Sequence, residues 1–261
     1  MKKLKILVMG LPGSGKTYFS ERFVKEIDGI WINADEVRKK ANDWDFTLEG
    51  RIRQANRMKK LSEEAVSSGK HAVADFVCPT QKTRKDFNPD FLIWMNTIKE
   101  GRFKDTNKIF ESPKKNEINY EIKQKNADLF KFLVADKIQK YKWDNRKPTA
   151  QMLGRWQPWH KGHQTLFEEI IKKTGQTNIM VRDVKGVGDN PFDFDTVKKN
   201  IENGLKEYKD RIKVSLVPNI TNICYGRGVG YKIEEIVLEE KVQKISATEI
   251  RKKMREEGKL K

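Results

Sequence analysis

Eight residues, Gly10-Leu11-Pro12-Gly13-Ser14-Gly15-Lys16-Thr17, follow the pattern GxxxxGK[ST]. The glycines let consecutive backbone N–H groups turn inward around phosphates, and Lys16 adds a point charge for the β and γ phosphates. The Thr17 hydroxyl is of the type that ligates Mg²⁺. This is a P-loop, and it stands between an apolar run, Lys5–Met9, and a helical pattern from Lys16. A second constellation, Gly154-Arg155-Trp-Gln-Pro-Trp-His160-Lys-Gly-His163, brings two of the chain's three histidines to HxGH spacing. Imidazoles there can donate to the oxygens that gather charge when an α-phosphate is attacked and pyrophosphate leaves. Near the C-terminus, Ile245-Ser246-Ala-Thr248-Glu-Ile-Arg251 sets two hydroxyls at a helix start and an arginine one turn later. That pattern suits β and γ phosphates.

The elements that must position these groups are legible as apolar runs. Lys5–Met9, Gly29–Asn33, His71–Val77 and Phe91–Met95 read as buried parallel strands, with helical patterns at Lys16–Ile27 and Ile52–Ser67. Strand alternating with helix predicts a parallel sheet covered on both faces. Residues 100–127 break the rhythm and read as a mobile lid or a surface loop. A change of composition at Gln139–Thr149 marks a domain boundary, giving expected domains 1–142 and 149–261. The pattern restarts with strand Ala150–Gly154, helix His163–Lys173, strand Asn178–Val181, helix Phe194–Tyr208 and strand Lys213–Pro218. A short polar strand and a helix from Ser246 close it. The expected fold class is therefore α/β: a three-layer P-loop NTPase domain, then a compact Rossmann-like domain carrying HxGH.

Beyond the P-loop, the first half resembles adenylylsulfate (APS) kinase, which phosphorylates the 3′-hydroxyl of adenosine 5′-phosphosulfate. The resemblance rests on Asp35-Glu-Val-Arg38, on Phe46-Thr-Leu-Glu-Gly-Arg51, and on Val77-Cys78-Pro79 at a strand end. It implies that Asp35 orients or deprotonates the acceptor hydroxyl. Arg38 and Arg51 would hold the phosphosulfate, and Phe46 would stack on adenine. Gln54 stands where that family has Asn. Asp75, at a strand end, is a candidate for holding Mg²⁺ through water.

The second half is similar to HxGH nucleotidylyltransferases of cytidylyltransferase-like type. Gly154, Arg155, His160, His163, Ser246, Thr248 and Arg251 are its implied nucleotide site, with ATP or CTP as donor. Val181-Arg-Asp-Val-Lys-Gly-Val-Gly-Asp189 is similar to a loop of ATP sulfurylase, which suggests the arrangement of PAPS synthetases. Gly154-Arg-Trp-Gln-Pro instead is close to the corresponding stretch of nicotinamide mononucleotide adenylyltransferases. The leading expectation is a bifunctional ATP- and Mg²⁺-using transferase with a small anionic acceptor. Alternatives are a nicotinamide riboside kinase joined to a mononucleotide adenylyltransferase, and a nucleic-acid-binding P-loop protein without turnover.

Composition bounds these readings. The chain has 261 residues and a net charge of +17, spread as 32 basic against 21 acidic residues in 1–150 and 22 against 16 in 151–261. Such a field favours anionic partners without choosing among them. No stacking-and-basic motif accompanies it, so nucleic acid is not expected as a partner. No run of eighteen apolar residues occurs, so no membrane span is expected. Cys78 and Cys224 have no partners at metal-ligand or disulfide-framework spacing. A cytoplasmic protein is the resulting expectation, with a homo-oligomer compatible with the sequence.

Overall fold

The computed structural model describes residues 2–228 and 230–260. It divides into two compact units, Met1–Gln139 and Lys140–Lys261. The first is a five-stranded sheet, all parallel, in the order β2-β3-β1-β4-β5. Its strands are β1 (Lys5–Met9), β2 (Gly29–Asn33), β3 (His71–Asp75), β4 (Phe91–Met95) and β5 (Tyr120–Ile122). Its helices are α1 (Lys16–Phe23), α2 (Ala34–Ala41), α3 (Leu48–Ser67), α4 (Gln81–Phe87), α5 (Lys104–Ile109) and α6 (Ala127–Ile138).

All five residues of β1 and of β3 are buried, because helices cover both faces of the sheet. Alternation along β1 shows the two layers directly. Ile6 and Val8 pack with Phe19, Phe23 and Val134, whereas Leu7 and Met9 pack with Met58, Phe87 and Leu92. Phe19 and Phe23, one turn apart on α1, stack with centroids 5.1 Å apart and are fully buried. Truncating Phe23 to Ala would cost about 3–5 kcal/mol.

The element bounds depart from expectation in physically readable ways. α3 starts a turn earlier than its apolar pattern, because the Thr47 side chain accepts from the Gly50 N–H and caps the helix there. β3 stops at Asp75, before the expected Val77. Residues 100–127 are not one loop, since they contain α5 and the edge strand β5.

The second unit carries a three-stranded parallel sheet, β6 (Ala150–Gly154), β7 (Thr177–Arg182) and β8 (Ile212–Val217), in the order β6-β7-β8. With it go α7 (Lys161–Thr174), α8 (Phe194–Gly204), α9 (Glu240–Gln243) and α10 (Ala247–Glu256). The Asp193 side chain caps α8 at Thr196, and Ser246 caps α10 at Glu249. The segment before β6 is held by the buried Gln176 side chain. Its Nε2 donates to the Asp144 carbonyl and to Thr149 Oγ1, and its Oε1 accepts from Tyr141 Oη. The expected polar strand before Ser246 does not form among the described residues; those described within 218–239 lie outside helix and strand. Its apolar residues Ile233 and Val237 stay exposed there, at 59% and 77%.

Candidate active sites

The P-loop leaves β1 and enters α1. Gly10 has φ +150, and a Cβ there would come 2.7 Å from the Met95 carbonyl, so no larger residue fits against β4. Thr97 Oγ1 donates to the Ser14 carbonyl at 2.7 Å, tying the loop to the chain beyond β4. Lys16 Nζ donates to the Gly10 and Leu11 carbonyls at 2.9 and 3.1 Å, so the ammonium lies across the loop. Burial lowers its pKa to about 8, against the opposing pull of Asp75 and Asp35.

Asp75, at the end of β3, is buried, and that burial raises its pKa to about 6. The Thr17 hydroxyl and the Asn33 amide oppose the rise by hydrogen bonding, with Asn33 Nδ2 at 3.0 and 3.3 Å from the two carboxylate oxygens. Asn33 also caps α2, accepting from the Asp35 and Glu36 N–H groups. Asn33 was not legible as a site residue, although Asn before a helical pattern is a cap signal. Mg²⁺ rides mainly on phosphates and water, with one or two protein oxygens. The Thr17 hydroxyl beside the Asp75 carboxylate fits that demand. Among the described residues no group of three or more His, Cys, Asp or Glu is placed to hold a metal by itself.

Asp35 lies in the first turn of α2, and capping falls to Asn33, which leaves the Asp35 carboxylate uncommitted to the helix end. A cavity of about 110 Å³ is lined by Asp35, Arg38, Phe46 and Arg51, with Gln54 and the Val77-Cys78-Pro79 turn. The structure thus brings together the four residues that the sequence singled out around one space. They are not alike within it. Arg38 is buried and donates through Nη1 to the Asp43 and Asp45 carbonyls at 2.9 Å, bracing the loop before α3. Phe46 lies over the Arg38 guanidinium at 4.6 Å and is 55% exposed. Arg51 Nε donates to the Phe46 carbonyl at 2.8 Å, and its Nη2 pairs with Asp105 of α5 at 2.6 Å. Of the two arginines expected to hold the phosphosulfate, Arg38 is a brace bonded to backbone carbonyls and Arg51 a fork already paired with Asp105. Gln54 Nε2 donates to the Ala34 carbonyl at 2.9 Å, fixing α3 against the start of α2. A larger cavity, about 520 Å³, runs along the outer edge of β2 beside Trp31, Val37 and Leu61 and includes no P-loop residue.

In the second unit, β6 leads through Gly154 and Arg155 to the histidine pair. A Cβ on Gly154 would meet the Trp156 ring at 2.6 Å, so the chain can only pass there as glycine. Arg155 is exposed. His160 is the N-cap of α7, its Nδ1 accepting from the Gly162 N–H at 3.1 Å. The His160 and His163 rings stack with centroids 3.6 Å apart. His163 also lies edge-on to Trp156 at 4.9 Å and near Trp159 at 5.5 Å. Burial in this aromatic cluster, aided by His160, lowers the His163 pKa to about 3, and burial lowers that of His160 as well. Both rings are therefore neutral donors and acceptors at pH 7, not cations.

Ser246 accepts from the Glu249 N–H, and Thr248 lies in the first turn of α10. Arg251 does not present an open fork. Its Nε pairs with Asp189 at 2.8 Å, Nη1 donates to the Gln157 carbonyl, and Nη2 reaches Thr248 Oγ1 at 3.2 Å. Arg255 pairs with the other oxygen of Asp189 at 2.6 Å. Gln157 is likewise spent, since its amide exchanges two hydrogen bonds with the Phe192 backbone. Together they clamp the 183–193 loop to α10. The glycine-flanked Asp189 was legible only as part of a sequence likeness, not as the partner of two arginines.

The AAA domain family model matches residues 6–88. A comparison with curated proteins finds no match. Among solved structures, the APS kinase CysC of Mycobacterium tuberculosis, in complex with AMPPNP and APS, aligns at 18% identity and a TM-score of 0.42. That alignment covers 53% of this chain and 99% of the other. Shikimate kinase from Acinetobacter baumannii, in complex with shikimate, aligns at 17% identity and a TM-score of 0.38, covering 52% and 93%. A protein designated APE1195 aligns at 23% identity and a TM-score of 0.34. It shares 36% of this chain, which spans 60% of that protein's length. No helix among the described residues is long and apolar enough to cross a membrane. The first unit is a P-loop α/β nucleotide-binding fold with a parallel sheet.

Proposed function

We propose that the first unit is a kinase that moves the γ-phosphoryl group of ATP to a hydroxyl of a small anionic acceptor. The observation that carries this reading is the place of Asp35. Its charge acts on Lys16 of the P-loop, and it lines the same cavity as Arg38, Phe46 and Arg51. The acceptor oxygen attacks the γ phosphorus, the bond to the bridging oxygen of ADP breaks, and Asp35 takes the hydroxyl proton. Lys16 and Arg51 balance negative charge at the two ends of the transfer. Thr17 and Asp75 would help to hold Mg²⁺ beside the nucleotide, where it would supply positive charge against the phosphates. An exposed Phe46 face beside an arginine suits a purine bearing an anionic tail, and adenosine 5′-phosphosulfate is the acceptor that suits Asp35, Phe46 and Arg51, with Arg38 bracing the loop that carries Phe46.

The second unit is read as a nucleotidylyltransferase, with His160 and His163 donating to the α-phosphate as pyrophosphate leaves. Nicotinamide mononucleotide is taken as its acceptor over sulfate because the Gly154-Arg-Trp-Gln-Pro stretch is close to that of the mononucleotide enzymes and the Gln157 amide is committed to the Phe192 backbone. Both readings are tested by incubating the protein with ATP, Mg²⁺ and single acceptors, and measuring ADP and pyrophosphate separately. ADP formed with adenosine 5′-phosphosulfate supports the kinase. Pyrophosphate formed with sulfate but not with the mononucleotide would overturn the second assignment. Neither product with any acceptor would return the chain to the nucleic-acid-binding alternative.

A further inference from the structure

The Arg51–Asp105 pair has features that ordinary surface ion pairs lack. Arg51 is held from behind by the Phe46 carbonyl and by Thr106 Oγ1, at 3.3 and 3.5 Å from its two terminal nitrogens, and its side chain is 15% exposed. Asp105, by contrast, is 66% exposed and reaches the guanidinium from the solvent side. Its helix, α5, has six residues and no side-chain N-cap. The segment is fixed instead at its ends. Asn107 exchanges two hydrogen bonds of 2.9 Å with the Gly101 backbone, and Gly101 approaches the Pro12 carbonyl of the P-loop closely enough that a Cβ would sit 3.0 Å away. A carboxylate thus stands on a well-held, cavity-lining guanidinium, carried by a short element anchored beside the phosphate loop.

We propose that Asp105 stands in for the acceptor's anion on Arg51 in the empty pocket and is displaced when that anion arrives. The proposal rests on the acceptor pocket described above. An exposed ion pair is worth little, so a multiply charged phosphosulfate that engages the fork through two oxygens can replace it. A neutral acceptor leaves the pair in place and gains nothing from Arg51, so Asp105 competes only with an anionic acceptor. Asp105 acts through Arg51 and is a positioning residue, not a catalytic one.

The test is calorimetric titration of adenosine 5′-phosphosulfate and of neutral adenosine into the full chain as wild type, Asp105→Asn and Glu100→Gln. Glu100 is an exposed acid in the same segment and makes no bond to Arg51 among the described contacts, so it reports the general loss of negative charge. The expected result is that Asp105→Asn binds the phosphosulfate roughly 2- to 5-fold tighter, the factor that corresponds to an exposed pair. Adenosine binding stays unchanged in both variants, and Glu100→Gln matches wild type for both ligands. Equal or weaker phosphosulfate binding by Asp105→Asn overturns the proposal, as does an equal gain in Glu100→Gln. If neither wild type nor Asp105→Asn binds the phosphosulfate while both bind ATP, the acceptor reading itself fails and takes this proposal with it.

Discussion

The candidate sites of the two units differ in electrical character. In the first, the groups are charged and share a buried setting: Lys16 is drawn down to about 8 and Asp75 up to about 6. In the second, the rings nearest the HxGH turn are held neutral, with His163 near 3 inside a cage of tryptophans. The arginines differ in the same direction. Both Arg51 and Arg251 spend all three nitrogens, but the carboxylate on Arg51, Asp105, is 66% exposed, whereas Asp189 on Arg251 is 40% exposed and is held by Arg255 as well. The lesson is that residue type alone does not assign a role. A guanidinium with a solvent-facing partner can exchange it for a ligand, and one clamped between a loop and a helix is structure.

Variants should separate the units. The largest effect is expected for Lys16→Ala, which should lower acceptor-dependent ADP formation by about 10²- to 10³-fold while leaving pyrophosphate release intact. A coupled-enzyme assay for each product checks it, and a parallel fall in both would dissolve the contrast. His163→Ala should do the reverse, cutting pyrophosphate release by about 10²-fold with ADP formation unchanged. Arg51→Ala should raise the acceptor KM by roughly 10-fold without moving that for ATP, as expected when one charge-assisted contact is lost. An equal rise for ATP would place Arg51 in the nucleotide site instead.

The pH dependences sharpen the same contrast. Nucleotide phosphates bind best to protonated Lys16. As pH rises through about 8 the empty protein loses that proton, and ATP affinity should then fall by about 10-fold per unit. Titrations in two buffers of different ionisation heat should show proton uptake on binding at pH 8.5. In the second unit no such step is expected on the acid side. His163 stays neutral well below pH 6, so the rate of pyrophosphate release should be flat from pH 8 down to about 5 as far as this ring is concerned. An inflection between 6 and 7 that His163→Ala removes would contradict the neutral-donor account.

What could be read from the sequence follows from how each feature is encoded. The phosphate loop and HxGH turn are local patterns in which spacing fixes geometry, so a few consecutive residues suffice. β1 and β3 are covered on both faces and therefore read as unbroken apolar runs, which made the central sheet legible. β5 has three residues, Tyr-Glu-Ile, at the sheet edge, too few to show a period. The contacts that sort the arginines leave no trace in the sequence. Asp105 lies 54 positions from Arg51, and Asp189 lies 62 from Arg251, separations across which charge carries no periodic signal. Asn33 illustrates the intermediate case, a cap signal that was available but pointed only to a helix start until Asp75 was seen beside it.

The central claim is that Asp35 and the P-loop serve one phosphoryl transfer to an acceptor held at Arg51. Its most direct test is to follow the γ-phosphoryl label of ATP in a single turnover with adenosine 5′-phosphosulfate, in wild type and Asp35→Asn. The account predicts label on the 3′-oxygen of the acceptor with wild type, and at least about 10²-fold less with Asp35→Asn. Label released only as inorganic phosphate, or transferred equally well by Asp35→Asn, would contradict it.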